Sequence, residues 1–263
     1  MIRATKIVAT LGPASSSKEV LEGLIRAGVD VVRLNFSHGT AADHRARADL
    51  VREVSQKVGR EVAIMADLQG PKIRVGKFEN NKIILKPGQR FTLDANCALG
   101  NDDVVGLDYK NLPNDVKVGD KLLLNDGLLV IRVESVDQAK IHTIVELGGE
   151  LSNNKGINRA GGGLTAPALT DKDKEDLKTA VSLGADYIAI SFPKNADDMK
   201  IAKELAEQAF KEFGNKTKLI AKIERAEAVL PGVLEGILEV SDGIMVARGD
   251  LAVEVGNAVV PAL

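Results

Sequence analysis

The residues best able to do chemistry sit where short apolar runs end. Arg33, Asn35 and Ser37 alternate along one such run, Asp67 closes another, Lys222 and Glu224 stand two residues apart on a third, and Arg248 and Asp250 do the same on a fourth. Two-residue spacing puts side chains on one face of an extended chain. Charge at the end of a buried strand must be paired, metal-bound or solvated, because isolated burial costs several kcal/mol. For any single strand a structural salt bridge explains the charge as well; four strand ends with the same feature favour a functional mouth. Glu224 and Asp250, read as lying on adjacent strands, suit Mg²⁺, with Mn²⁺ as the alternative ion. Mg²⁺ accepts one or two protein carboxylates and leaves its other positions to water and substrate oxygens. Lys222 and Arg248 add cations beside that metal, and Arg33 offers a planar fork for a phosphate or carboxylate ester. Lys72 and Arg74 extend the positive field.

Such a mouth needs parallel strands that present their carboxyl ends together. Ile7–Gly12 reads as a buried strand; Ser16, three residues before Glu19, then starts a helix with Val20, Leu21, Leu24 and Ile25 on one face, ended by Gly28. Val31–Ser37 is the second strand, residues 43–57 the next helix and Val62–Asp67 the third strand. The repeat of about thirty residues is that of strand–helix units. From Gly70-Pro71 to about Ala166 the rhythm changes to short apolar segments between turns such as Lys86-Pro87-Gly88 and Asn125-Asp126-Gly127, with strands over Val130–Val133 and Ile141–Val145. This predicts a small all-β barrel domain inserted into an α/β domain, left through a flexible Gly161–Gly163. The first rhythm returns with a helix start at Thr170 and Asp173, a strand over Tyr187–Phe192, a helix over Ala196–Phe213, and strands over Lys218–Glu224 and Gly243–Asp250. The predicted division is residues 1–70 and 167–263 for the first and second parts of a barrel domain, and 71–166 for the insertion. A complete (β/α)8 barrel takes about 250 residues, so the fold class predicted is a TIM barrel incomplete at the C-terminus, with a smaller open α/β sheet as the alternative.

Composition narrows the function classes. With 263 residues, 44% of them hydrophobic, the chain can build a sizeable core. The 35 basic and 37 acidic residues nearly cancel, giving no general attraction to nucleic acid or anionic membrane. One cysteine, Cys97, excludes an intrachain disulfide and fits a reducing cytoplasm. The opening Met1–Lys6 lacks the pattern of a signal peptide, and no segment approaches the roughly 18 to 20 apolar residues that span a bilayer.

Several separated motifs together resemble one family. Arg33-Leu34-Asn35-Phe36-Ser37-His38-Gly39, Gly70-Pro71-Lys72-Ile73-Arg74, Asn154-Lys155-Gly156-Ile157-Asn158, Lys222-Ile223-Glu224 and Met245-Val246-Ala247-Arg248-Gly249-Asp250-Leu251 are similar, in this order, to pyruvate kinase. The resemblance covers essentially the whole chain. It implies phosphoryl transfer from phosphoenolpyruvate to ADP, giving pyruvate and ATP, in a cytoplasmic homotetramer that binds neither nucleic acid nor membrane. It implies Glu224 and Asp250 as Mg²⁺ ligands, Lys222 and Arg33 as catalytic residues, and Arg33, Lys222, Ala247, Arg248, Gly249 and Asp250 as the phosphoenolpyruvate site. Asn35, Phe36, Ser37, His38, Arg74 and Lys155 would lie around the nucleotide. The family's threonine near the enolate would fall beyond Leu263, so the chain is expected to be a fragment, inactive by itself.

Many family members hold K⁺ with residues matching Asn35, Ser37, Asp67 and the position of Leu68, and carry glutamate at the position of Lys72. Here Leu68, Gln69 and Lys72 resemble the subgroup in which the lysine ammonium replaces the ion, since a fixed cation and K⁺ repel each other at close range. K⁺ is therefore expected not to be required. Two readings compete. A Mg²⁺-dependent aldolase or lyase shares Lys222-Ile223-Glu224 followed by Ala226-Glu227-Ala228, but has no need of an inserted β domain facing a nucleotide. A ligand-binding fragment without turnover is the other. Arg248-Gly249-Asp250 as an adhesion tripeptide and Gly161–Gly163 as a phosphate loop both lack their context, His142 reads as structural, and Asp171–Lys178 reads as a solvated helix face.

Overall fold

The computed structural model describes residues 4–263; Met1–Arg3, part of the opening stretch considered above, lie outside the described residues. In chain order the elements are β1 (Val8–Leu11), α1 (Lys18–Ala27), β2 (Val31–Asn35), α2 (Ala41–Val58) and β3 (Ala63–Asp67), followed by an all-β stretch. That stretch comprises β4 (Lys82–Leu85), β5 (Arg90–Asp94), β6 (Val104–Val105), the short α3 (Leu112–Asp115), β7 (Lys121–Leu124), β8 (Leu129–Asp137), β9 (Lys140–Leu147), β10 (Gly149–Ser152) and β11 (Ile157–Arg159). The chain continues with α4 (Asp171–Ser182), β12 (Tyr187–Ile190), α5 (Ala196–Phe213), β13 (Lys218–Ile223), α6 (Val233–Val240), β14 (Gly243–Val246) and α7 (Arg248–Val255).

The strands of the first kind form one six-stranded sheet in the order β1-β2-β3-β12-β13-β14. The registers that fix it are parallel: Thr10 lies opposite Arg33, Asn35 opposite Asp67, and Ala189 opposite both Asp67 and Ile220. Its central strands are near-continuous apolar runs, with Ile64, Ala66, Ile188 and Ile190 fully buried, as expected where helices cover a parallel sheet. The helices begin and end on local signals. Thr40 and Asp43 cap α2 reciprocally, Thr170 and Asp173 do the same for α4, and Gly28, Gly59 and Gly214 close α1, α2 and α5 in left-handed conformations. The α1 cap falls on Ser17 rather than Ser16, because Ser16 spends its hydroxyl on the Gly12 carbonyl at 2.6 Å.

Two compact units result. One gathers the chain up to Gly70 with Ala168–Lys222 and Leu234–Met245; the other gathers Pro71–Pro167 with Ile223–Val233 and Val246–Leu263. The second unit holds a sheet in the order β11-β7-β8-β9-β5-β6, antiparallel except for the β5–β6 pair, and a separate β4–β10 pair. Leu122, Leu124, Ile131, Val133, Phe91 and Leu93 pack between its strands as a closed apolar core. The Asn125-Asp126-Gly127 turn between β7 and β8 has positive φ at all three residues, the geometry that joins tightly twisted antiparallel strands.

Further expectations are corrected. The last parallel strand ends at Val246, so Arg248 and Asp250 do not share a strand face but occupy the first turn of α7. The chain leaves the extended conformation at Ala247, at φ −84° and ψ 77°. The Asp171–Lys178 run is a helix as expected, yet Asp173 within it is fully buried rather than solvated. Among the described residues no helix is long and apolar enough to cross a membrane.

Candidate functional site

In the first unit, β2, β3 and β13 bring Arg33, Asp67 and Lys222 together. Asp67 is 1% exposed and takes Arg33 Nε at 2.6 Å on Oδ2 and Lys222 Nζ at 3.2 Å on Oδ1. A carboxylate so buried is tolerable only because two cations face it. Arg33 also donates to Thr10 Oγ1 at 2.9 Å. Lys222 donates to Ser191 Oγ at 2.7 Å, and Ser191 passes a hydrogen bond on to the Leu68 carbonyl at 2.7 Å. The lysine is thus held by both Ser191 and the carboxylate that Asp67 shares with Arg33.

The loop after β2 is held from its own backbone. The Asn35 side chain accepts from Ser37 N at 3.0 Å, Phe36 N donates to the Asp67 carbonyl, and Lys172 Nζ donates to the Phe36 carbonyl at 2.9 Å. His38 N donates to the Asn35 carbonyl at 3.3 Å, closing the turn. Beneath it the Phe36 ring stacks on His44, with centroids 3.9 Å apart and planes 10° apart. His44 is 2% exposed, and burial, aided by the charge of Arg47, holds its pKa below the usual histidine value. Leu68 is buried beside this cluster, its N–H donating to the Ala189 carbonyl. Next to it Gly70, at φ +68°, packs so closely that a Cβ would lie 2.6 Å from that of Ser191.

In the second unit a different set gathers. Glu224 is 1% exposed and stands directly after β13. Ala247 N donates to the Ile223 carbonyl at 3.2 Å, tying the residue before Glu224 to the entry of α7. Asp250, in the first turn of α7, lies 3.6 Å from Lys72 Nζ, and Asp126 lies 3.8 Å from the same nitrogen. Arg248 and Gly249 are exposed, and a Cβ on Gly249 would meet nothing within 4 Å. Arg74 and the Asn154–Gly156 segment meet: Arg74 Nη1 donates to the Asn154 carbonyl at 3.1 Å, and Val75 N to the Lys155 carbonyl at 2.9 Å. Glu254, one turn beyond Asp250, is 7% exposed, and burial raises its pKa above the usual carboxylate value.

Sequence reasoning did not single out Ser191, Thr10, Lys172, His44 or Glu254. Ser191 carried a signal, a hydroxyl just after the apolar Tyr187–Ile190. Thr10, Lys172 and Glu254 meet Arg33, Phe36 and Ala226 across 23, 136 and 28 residues, and His44 meets Phe36 only through the fold of the loop between them. Among the described residues no group of three or more His, Cys, Asp and Glu side chains is arranged to hold a metal.

These features define an α/β protein with a buried carboxylate flanked by two cations at the ends of parallel strands. Residues 2–263 match the family described as pyruvate kinase, barrel domain. The chain is 53% identical over 259 residues to pyruvate kinase II of Salmonella typhimurium, covering 97% of this chain and 53% of that protein. It is 52% identical over 259 residues to a pyruvate kinase of Haemophilus influenzae, with the same coverage, 97% and 53%. To a pyruvate kinase of Sporosarcina psychrophila it is 44% identical over 262 residues, 99% of this chain and 44% of that one. The chain belongs to the pyruvate kinase family and carries its barrel-domain region. It spans about half the length of the first two relatives.

Proposed function

We propose that the protein carrying this chain transfers the phosphoryl group of phosphoenolpyruvate to ADP, giving pyruvate and ATP as the last step of glycolysis. The observation that carries this reading is the pairing of Arg33 and Lys222 on the buried Asp67 carboxylate, in a chain of the pyruvate kinase family. In this reading Lys222 is the cation on the transferring phosphoryl group and Arg33 the fork on the substrate's anionic oxygens. Both are held before substrate arrives, Lys222 by Ser191 and Asp67, Arg33 by Asp67 and Thr10. Groups fixed in advance where charge develops lower the barrier without reorganising during the reaction. Little covalent chemistry is asked of the protein in phosphoryl transfer, so positioning and charge carry most of the catalysis.

Glu224 and Asp250 would hold Mg²⁺ or Mn²⁺. Both supply the hard carboxylate oxygens that Mg²⁺ prefers, and two carboxylates are the number it takes when substrate and water complete its shell. Bound there, the ion would neutralise phosphate charge and orient the donor. Ala247, Arg248 and Gly249 would complete the phosphoenolpyruvate side, with the exposed Gly249 leaving its backbone N–H open to an anion. Asn35, Phe36, Ser37, His38, Arg74 and Lys155 would surround the nucleotide. Lys72, already facing the carboxylates of Asp126 and Asp250, would supply the positive charge that K⁺ supplies elsewhere in the family, so K⁺ would not be required. The domain division at residues 70/71 and 166/167, a cytoplasmic location and a homotetramer complete the proposal.

The test is ADP-dependent pyruvate formation by the full-length protein. Pyruvate released at the same rate without ADP would replace this reading with a lyase. Lys222→Met is expected to abolish turnover while leaving phosphoenolpyruvate binding within about tenfold, because it removes charge needed most in the transition state.

A further inference from the structure

Glu254 lies outside every role given above, yet in the second unit it joins α7 to the segments bearing Ala226, Asn158 and Gly161. It sits on α7 one helical turn after Asp250, so the two carboxylates occupy one helix face. Its Oε2 accepts the backbone N–H of Ala226 at 2.8 Å, two residues after Glu224. Its Oε1 lies 3.4 Å from Asn158 Nδ2, and its own carbonyl accepts from Gly161 N at 3.1 Å. The side chain is 7% exposed, and the charges of Arg225 and Glu227 act on it. A buried carboxylate costs several kcal/mol unless it is well bonded. Here its strongest bond runs to the segment that bears Glu224, while its backbone is that of the helix bearing Asp250. A second link between these segments runs from Ala247 N to the Ile223 carbonyl, at 3.2 Å.

We propose that Glu254 is a positioning residue that sets the spacing between Glu224 and Asp250, and through it the affinity for a divalent cation. The inference rests on the reading of those two residues as metal ligands. Groups that orient metal ligands from behind typically change affinity about 10- to 100-fold when removed. A glutamine keeps an oxygen able to accept from Ala226 N, an aspartate shortens the reach by one methylene, and an alanine leaves the N–H without its acceptor.

The experiment titrates Mn²⁺ into the full-length protein without substrate, reading free Mn²⁺ by electron paramagnetic resonance, and measures thermal unfolding alongside. Glu254→Ala is expected to weaken Mn²⁺ binding about tenfold or more, Glu254→Asp by an intermediate factor, and Glu254→Gln by less than about threefold. Folded Glu254→Ala protein that binds Mn²⁺ within about twofold of the parent overturns the proposal. If the alanine variant does not fold, Glu254→Asp decides: a lowered Tm with unchanged Mn²⁺ affinity marks a structural residue only and equally overturns it. Glu224→Gln, titrated in parallel, separates the two layers. Mn²⁺ binding lost there but intact in the Glu254 variants sinks the positioning role alone, whereas binding intact in Glu224→Gln sinks the ligand assignment and this inference together.

Discussion

Replacing Gly70 by alanine should strike stability and the lysine site in one move. Gly70 sits at φ +68°, where an L-residue costs about 1–2 kcal/mol. The added Cβ would lie 2.6 Å from Ser191 Cβ, 2.9 Å from Phe192 Cδ2 and 3.1 Å from the Ser191 carbonyl oxygen. Relief requires moving backbone, because Gly70 N is held by Asp173 Oδ1 at 3.0 Å and Ser191 Oγ by the Leu68 carbonyl. Overpacking of this kind costs about 1–3 kcal/mol, so the sum is about 2–5 kcal/mol. At roughly 2–4 °C per kcal/mol for a domain of this size, the Tm should fall by about 4–20 °C. Gly59→Ala is the control: it has φ +72° but nothing within 4 Å of its Cβ, so it carries the dihedral cost alone. Calorimetry on both variants gives the clash as their difference. The displaced Ser191 should also loosen Lys222 and lower kcat more than KM for phosphoenolpyruvate. Equal Tm values for the two variants, or an unchanged kcat in Gly70→Ala, would refute the reasoning.

Three further outcomes are expected. His44 titrates below its ordinary value because it is buried, so as pH falls through about 6.5 the unfolded chain takes up the proton first and the native state loses stability; Tm should drop between about pH 7.5 and 5.5, and His44→Phe should flatten that slope. Asp67→Asn removes the buried carboxylate that Arg33 and Lys222 share and should cost about 3 kcal/mol, partly recovered when Arg33→Leu is added; an unchanged melting curve would show these contacts to be energetically idle. Lys72→Glu in the full-length protein should create activation by KCl at constant ionic strength, against a parent that shows none; strong KCl activation of the parent would end the substitution argument.

The strand–helix rhythm was readable because each helix carries its own punctuation. Asn195 and Gly214 bracket α5 so clearly that its span, Ala196–Phe213, follows from the residues alone. The end of β14 was not readable, since Ala247-Arg248-Gly249-Asp250 has neither a side-chain cap nor a proline to announce the turn into α7. Charge at strand ends revealed Arg33, Asp67, Lys222 and Glu224, because charge is rare in buried strands. Glu254 was invisible for the opposite reason: an acidic residue in a helical stretch is commonplace, and its partners Ala226 and Asn158 lie 28 and 96 residues away. Ser191 and His44 likewise gain meaning only from neighbours brought by the fold, Lys222 in one case and Phe36 in the other.

The parallel sheet is bounded by β1 and β14, each hydrogen-bonded to a strand on one side within it. Val8 on the first, and Ile244 and Val246 on the last, are 51%, 41% and 50% exposed. An edge strand with exposed apolar side chains is a template for another strand. Produced alone, this 263-residue stretch should be colloidally fragile, scattering light at concentrations where its charge alone would keep it dispersed. Charged substitutions at Val8 and Val246 should suppress that self-association without touching the chemistry. Two sticky margins at opposite ends of one sheet also give any future binding study on the isolated stretch a practical order: establish the association state first, then measure ligands.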